Sequence, residues 1–143
     1  MAKVLIVYYS LGGNTKIAAE AILKGAQGVG ANVTIKNALK ANADDLIDCD
    51  AVAIGTPDYF SYMAGGLKDF FDRALYSVEG KVTDKPCFVF VTHGGGGKDV
   101  ESVEEMCKRF KFKEIGKPLL IKGKPDSKAE KQLEEAGRKL ANS

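Results

Sequence analysis

A doubly wound α/β sandwich is the fold class this sequence predicts: a three-layer domain with helices on both faces of a five-stranded parallel sheet ordered 2-1-3-4-5. Three observations point to it. Short continuous apolar runs recur along the chain and stop at glycine or proline turns, amphipathic helical stripes alternate with them, and three loops of unusual composition follow the first, third and fourth runs. Unbroken apolarity over so few residues suits strands buried on both faces, as a parallel sheet requires.

The first strand is Val4-Leu5-Ile6-Val7-Tyr8-Tyr9, ended by a Ser-Leu-Gly-Gly turn. A helix follows, opened by Thr15, with Ile17, Ala18, Ala21, Ile22 and Gly25 on one stripe and a stop at Gln27-Gly28-Val29-Gly30. Asn32 to Lys36 reads as a weaker edge strand, and Ala43 to Ile47 as a short polar helix. Ala51-Val52-Ala53-Ile54 is the third strand, reaching Gly55-Thr56-Pro57, before a helix carrying Leu67, Phe70, Phe71, Ala74 and Leu75 on one face. Cys87-Phe88-Val89-Phe90-Val91 makes the fourth strand and runs into Thr92-His93 and four glycines. Val100, Val103, Met106, Cys107 and Phe110 mark the next helix. Pro118-Leu119-Leu120-Ile121 is the fifth strand or its end, and a last helix from about Ser127 spaces Ala129, Leu133, Ala136 and Leu140 between charges. Residues 1–143 form one domain on this reading.

Length and composition agree. At 143 residues, 45% of them apolar and 28% charged, the chain sits near the globular average and can bury a core without covalent staples. The run from Val4 to Tyr9 is too short to cross a bilayer and lacks a secretory cleavage signature, so no membrane association is expected. Cys49, Cys87 and Cys107 form no CxxC pair and leave one thiol unmatched, which speaks for reduced thiols in a cytoplasmic protein and against a disulfide framework or zinc site. Charge is unevenly placed: residues 1–107 hold 10 Lys/Arg against 14 Asp/Glu, and residues 108–143 hold 11 against 5. The basic run Lys108, Arg109, Lys111, Lys113 has only Phe110 and Phe112 interleaved, and these alternate like core or helix-end positions, so nucleic acid is not an expected partner.

In a doubly wound sheet, ligands bind beyond the strand C-termini, where three loops meet. The first, Ser10-Leu11-Gly12-Gly13-Asn14-Thr15, offers two hydroxyls, an amide and two glycines that let N–H groups turn inward at a helix N-terminus. A dianionic phosphate can bind there without a lysine or arginine, because the helix start supplies free donors and the positive dipole end. The bland alternative is a tight turn with an ordinary helix cap. Neither GxxxxGK[ST] nor GxGxxG is present, which disfavours nucleoside triphosphates and dinucleotides.

Ser10 to Thr15 resembles the (S/T)-x-x-G-N-T phosphate loop of flavodoxins, directly after the first strand. Gly55-Thr56-Pro57-Asp58-Tyr59-Phe60-Ser61-Tyr62-Met63-Ala64-Gly65 is similar to the GTP-x-x-F-x-x-M-A-G segment of the tryptophan-repressor-binding-protein type of NAD(P)H:quinone reductases. The resemblance implies a flavodoxin-like fold and one bound FMN. It places the second segment against the isoalloxazine ring, where Pro57 stiffens the loop and Phe60, Tyr59 or Tyr62 covers a ring face. Thr56, Asp58 and Met63 join that segment, with solvation the expected lot of Asp58 and either core or flavin contact open to Met63. The third loop, Thr92-His93-Gly94-Gly95-Gly96-Gly97, has the position of the flavodoxin loop along the pyrimidine edge, where glycines allow close approach. It lacks the stacking tyrosine of typical flavodoxins, leaving one flavin face open. His93, the only histidine, is either a strand-terminal residue without chemistry, a hydrogen-bond partner of flavin or substrate, or a proton donor.

Two functions compete. One is a low-potential electron carrier between redox proteins, ferredoxin-like donors or reductases, needing no catalytic side chain and working as a monomer or weak dimer. The other is an FMN-dependent reductase of NAD(P)H and quinone. A receiver domain on the same scaffold needs an acidic pair after the first strand, and Tyr8-Tyr9-Ser10 excludes it.

Overall fold

The computed structural model describes all residues, 1–143. In chain order the elements are β1 (Lys3–Tyr8), α1 (Asn14–Gly28), β2 (Asn32–Asn37), α2 (Ala43–Asp48), β3 (Ala51–Tyr59), β4 (Tyr62–Met63), α3 (Gly65–Val78), β5 (Pro86–His93), α4 (Val100–Phe110), β6 (Lys113–Glu114), β7 (Leu119–Lys122) and α5 (Ser127–Ala141). The parallel ladders run β2-β1-β3-β5, and both β6 and β7 lie along the outer edge of β5. With β6 and β7 as two pieces of one fifth strand, the expected order 2-1-3-4-5 is the observed one.

Alternation along the strands divides the core in two. Leu5, Val7, Val52, Ile54, Cys87, Val89 and Val91 point to one face, against α2, α3 and α4. Val4, Ile6, Ala51, Ala53, Phe88 and Phe90 point to the other, against α1 and α5. Helices α1 and α5 meet at glycines: a Cβ on Gly25 would run into the Glu134 carbonyl, and one on Gly137 into that of Ile22. Backbones can approach this closely only where no side chain intervenes.

Two features differ from the sequence expectation. First, β3 continues past Ile54 through Tyr59 and turns back as β4, pairing Asp58 with Met63 and Tyr59 with Tyr62. The two-residue loop Phe60-Ser61 has φ of 58° and 63°, the left-handed pair that a type I′ hairpin turn needs. Neither residue is a glycine or asparagine, so no turn signal was visible. Second, Lys113–Glu114 pairs with Pro86 and Cys87 as a separate short strand, too polar and too brief to show a strand pattern.

Candidate functional site

The C-terminal ends of β1, β3 and β5 open into one cleft of about 250 Å³. Ser10, Leu11, Gly12, Asn14 and Thr15 line it from the first loop, Pro57, Asp58 and Tyr59 from the end of β3, and Thr92, His93 and Gly94 from the end of β5; Gly123, just after β7, completes it. A parallel sheet brings these together because each strand delivers its following loop to the same edge.

The first loop is shaped by its own atoms. Gly13 has φ 102° and donates its N–H to Ser10 Oγ at 3.0 Å, while no side chain caps α1. The amides at the start of α1 therefore lack the hydroxyl or carboxylate partner that helix starts usually have. Thr15 is buried, and its Oγ1 lies 2.7 Å from Oγ1 of buried Thr92. That pair ties the first loop to the end of β5.

The other loops are joined more tightly than their composition suggests. Asp58 Oδ2 accepts a hydrogen bond from Gly97 N–H at 2.8 Å. Gly96 faces the same carboxylate so closely that a Cβ there would sit 2.9 Å from Oδ2. Asp58 is thus half-buried and engaged, which corrects the expectation of a solvated carboxylate: the 93–97 loop folds over it and supplies a donor. Thr56 Oγ1 donates to the Pro57 carbonyl at 2.8 Å and accepts from Ala64 N–H at 2.9 Å, so its hydroxyl braces the hairpin rather than lining the cleft. Met63, open to either role, is 2% exposed and belongs to the core under α3, with its N–H donated to Ser102 Oγ at 3.1 Å. Phe60 at the hairpin tip is fully exposed and packs on nothing, and Tyr62 is 45% exposed.

A flavodoxin family model matches residues 6–137. The chain belongs to the flavodoxin family. Among its relatives is a flavodoxin of Aquifex aeolicus (strain VF5), 31% identical over an alignment taking in 99% of this chain and 86% of the relative. An NAD(P)H dehydrogenase (quinone) of Caulobacter vibrioides (strain NA1000 / CB15N) is 35% identical over 66% of this chain, spanning 60% of the relative's length. The solved structure of a flavodoxin from the domain Archaea matches with a TM-score of 0.90 at 25% identity, covering 98% of this chain and 96% of that one. This flavodoxin uses FMN, and it is an electron carrier.

The donor set of the cleft fits that group. Gly12, Gly13, Gly94 and Gly95 have open space where a Cβ would stand, so backbone can be approached. His93 Nδ1 and Asp58 Oδ1 are buried at the wall without a hydrogen-bond partner, a costly state that a polar ligand relieves.

Next to the third loop, Asp99 carried no sequence signal beyond its charge. It is completely buried at the start of α4. Both of its carboxylate oxygens lack partners. Burial, reinforced by the charge of Asp58, pushes its carboxyl up to about 7. Ser102 Oγ donates to its carbonyl at 2.6 Å, linking this turn to the Met63 backbone. Gly123, which lines the cleft, was also outside the expected set.

On the exposed side of α3, Asp72 is paired with Lys68 at 2.6 Å and Asp69 with Arg73 at 2.8 Å, so these charges offset one another. No helix is long and apolar enough to cross a membrane.

Proposed function

We propose that the FMN phosphate is held by the Ser10–Thr15 loop and the uncapped start of α1, with Asn14 and the Gly12 amide as donors and Gly13 fixing the loop through its bond to Ser10 Oγ. The convergence of the three strand-end loops on one cleft supports this most directly. Thr15 positions the loop through Thr92 and keeps one hydroxyl hydrogen of the pair for the phosphate. Pro57, Asp58, Tyr59, Thr92, His93 and Gly94–Gly96 border the flavin ring, and Phe60, exposed at the hairpin tip, covers one ring face.

When bound, FMN supplies one- and two-electron redox chemistry; the protein sets its environment. A cleft of about 250 Å³ is smaller than the roughly 300–1,000 Å³ that encloses a whole ligand, which accords with a ring edge left exposed to a redox partner. The exposed Leu11, Phe60 and Tyr62 surround that edge. The partners are soluble redox proteins in the cytoplasm, met by a monomer or weak dimer, and the free thiols of Cys49, Cys87 and Cys107 suit a reducing compartment.

A second reading is an NAD(P)H-dependent quinone reductase, favoured by the relative of that name and by a 93–99 loop without an aromatic to cover the outer face. Mixing the FMN-loaded protein with NADPH and menadione separates the two. The carrier reading expects negligible NADPH oxidation with prompt reduction by a reduced redox protein; multiple turnovers of NADPH would replace it with the reductase.

A further inference from the structure

The outer edge of the sheet is broken on the side away from the FMN cleft. β6 pairs with Pro86 and Cys87, Ile115 N–H still donates to the Cys87 carbonyl at 2.7 Å, β7 pairs with β5 from Phe90 onward, and Gly116 to Pro118 step away between them. The interruption leaves a groove of about 420 Å³ between the sheet edge and α5. Its floor is apolar: Phe88 and Leu119 from the strands, Ile115 from the connection between β6 and β7, and Ala136 from the helix. Its rim carries the ammonium groups of Lys117, Lys131 and Lys139, all exposed and none within ion-pair distance of a carboxylate. The one acid on the rim, Glu135, is already engaged by Arg138 at 2.8 Å. None of the residues lining this groove lines the FMN cleft.

We propose that this groove is a second ligand site, taking a small anionic amphiphile: a carboxylate or sulfonate on a short aliphatic or aromatic body. Its volume lies within the range of small-molecule sites. An apolar floor under three unpaired cations matches that chemistry, because the body leaves water while the head group stays at the wet rim among opposite charges. A cationic amphiphile would bring the same body against three like charges. A neutral one would gain only the floor. The surrounding segment favours anions further, with 11 Lys/Arg against 5 Asp/Glu over residues 108–143.

Calorimetric titration of the FMN-loaded protein with octanoate and with octylammonium compares two probes of the same body and opposite charge. Octanoate is expected to bind at one site, and octylammonium at least about tenfold more weakly, since a few charge contacts at a wet rim are worth about that factor. The double variant Lys131→Glu/Lys139→Glu should lose octanoate binding by about tenfold or more while the flavin absorbance stays unchanged. Ala136→Phe, which fills the floor, should abolish it with the charges intact. No saturable octanoate binding, equal binding of the two probes, or octanoate binding indifferent to both variants would each overturn the site.

Discussion

The carboxylate of Asp58, at the end of β3, accepts a hydrogen bond from the backbone N–H of Gly97 at 2.8 Å and so clasps the two loops that border the cleft. A bond from an N–H to an ionised acceptor contributes about 1.5–3 kcal/mol. Asp58→Ala should therefore weaken FMN by tenfold or more, at about 1.4 kcal/mol per decade. Asp58→Asn keeps an acceptor oxygen and should retain most of the affinity. Fluorescence titration of the apoprotein checks both, and equal losses in the two variants would show that the clasp is not what matters.

Buried Asp99 makes stability depend on pH. Its carboxyl titrates near 7 in the fold because burial, and then the charge of Asp58, disfavours ionisation, against a reference of 3.8. The unfolded chain thus gives up this proton first, and the folded state loses ground as pH rises from about 4 through about 7. Asp99→Asn removes the penalty. It should melt higher than the parent at about pH 8, by clearly less at about pH 5 and no higher at about pH 3, as followed by circular dichroism. A difference independent of pH would place the effect in packing instead.

The hairpin tip separates turn chemistry from flavin contact. Ser61 occupies φ 63° without being glycine, a strain of about 1–2 kcal/mol that outweighs the roughly 0.4–1 kcal/mol of extra unfolded-state freedom glycine brings, so Ser61→Gly should stabilise the protein by up to about 1 kcal/mol in denaturant melts. Phe60 is wholly exposed, and Phe60→Ala should leave the apoprotein's stability within about 0.5 kcal/mol while weakening FMN and altering its visible spectrum. An unchanged flavin spectrum would remove Phe60 from the site.

Where α1 and α5 cross, Gly137→Ala drives a methyl group into the Ile22 carbonyl. The cost should be at least about 1–3 kcal/mol, since neither backbone can give way without separating two packed helices. A neutral result in a chemical denaturation series would contradict the close approach.

Much of this molecule is legible in its sequence because parallel strands buried on both faces leave uninterrupted apolar runs. Val4 to Tyr9, Ala51 to Ile54 and Cys87 to Val91 fix the centre of the sheet, and their following loops then have only one edge on which to meet. What stayed hidden follows from side chains whose environment comes from other elements. Asp58 looks like a surface acid until Gly97 N–H engages it, Asp99 gives no sign that it is fully buried, and Met63 reads equally as core or contact until α3 is packed. Phe60 and Ser61 form a turn without turn residues, and Thr56 resembles a ligand group although its hydroxyl is spent within the hairpin.

The central claim, an FMN site whose phosphate sits at the start of α1, is tested most directly by titrating the apoprotein with FMN and with riboflavin while recording flavin fluorescence. FMN should bind one-to-one and far more tightly than riboflavin, inorganic phosphate should compete with it, and Thr15→Ala should narrow the gap between the two flavins. Equal affinity for both flavins, or no binding of FMN, would contradict the account.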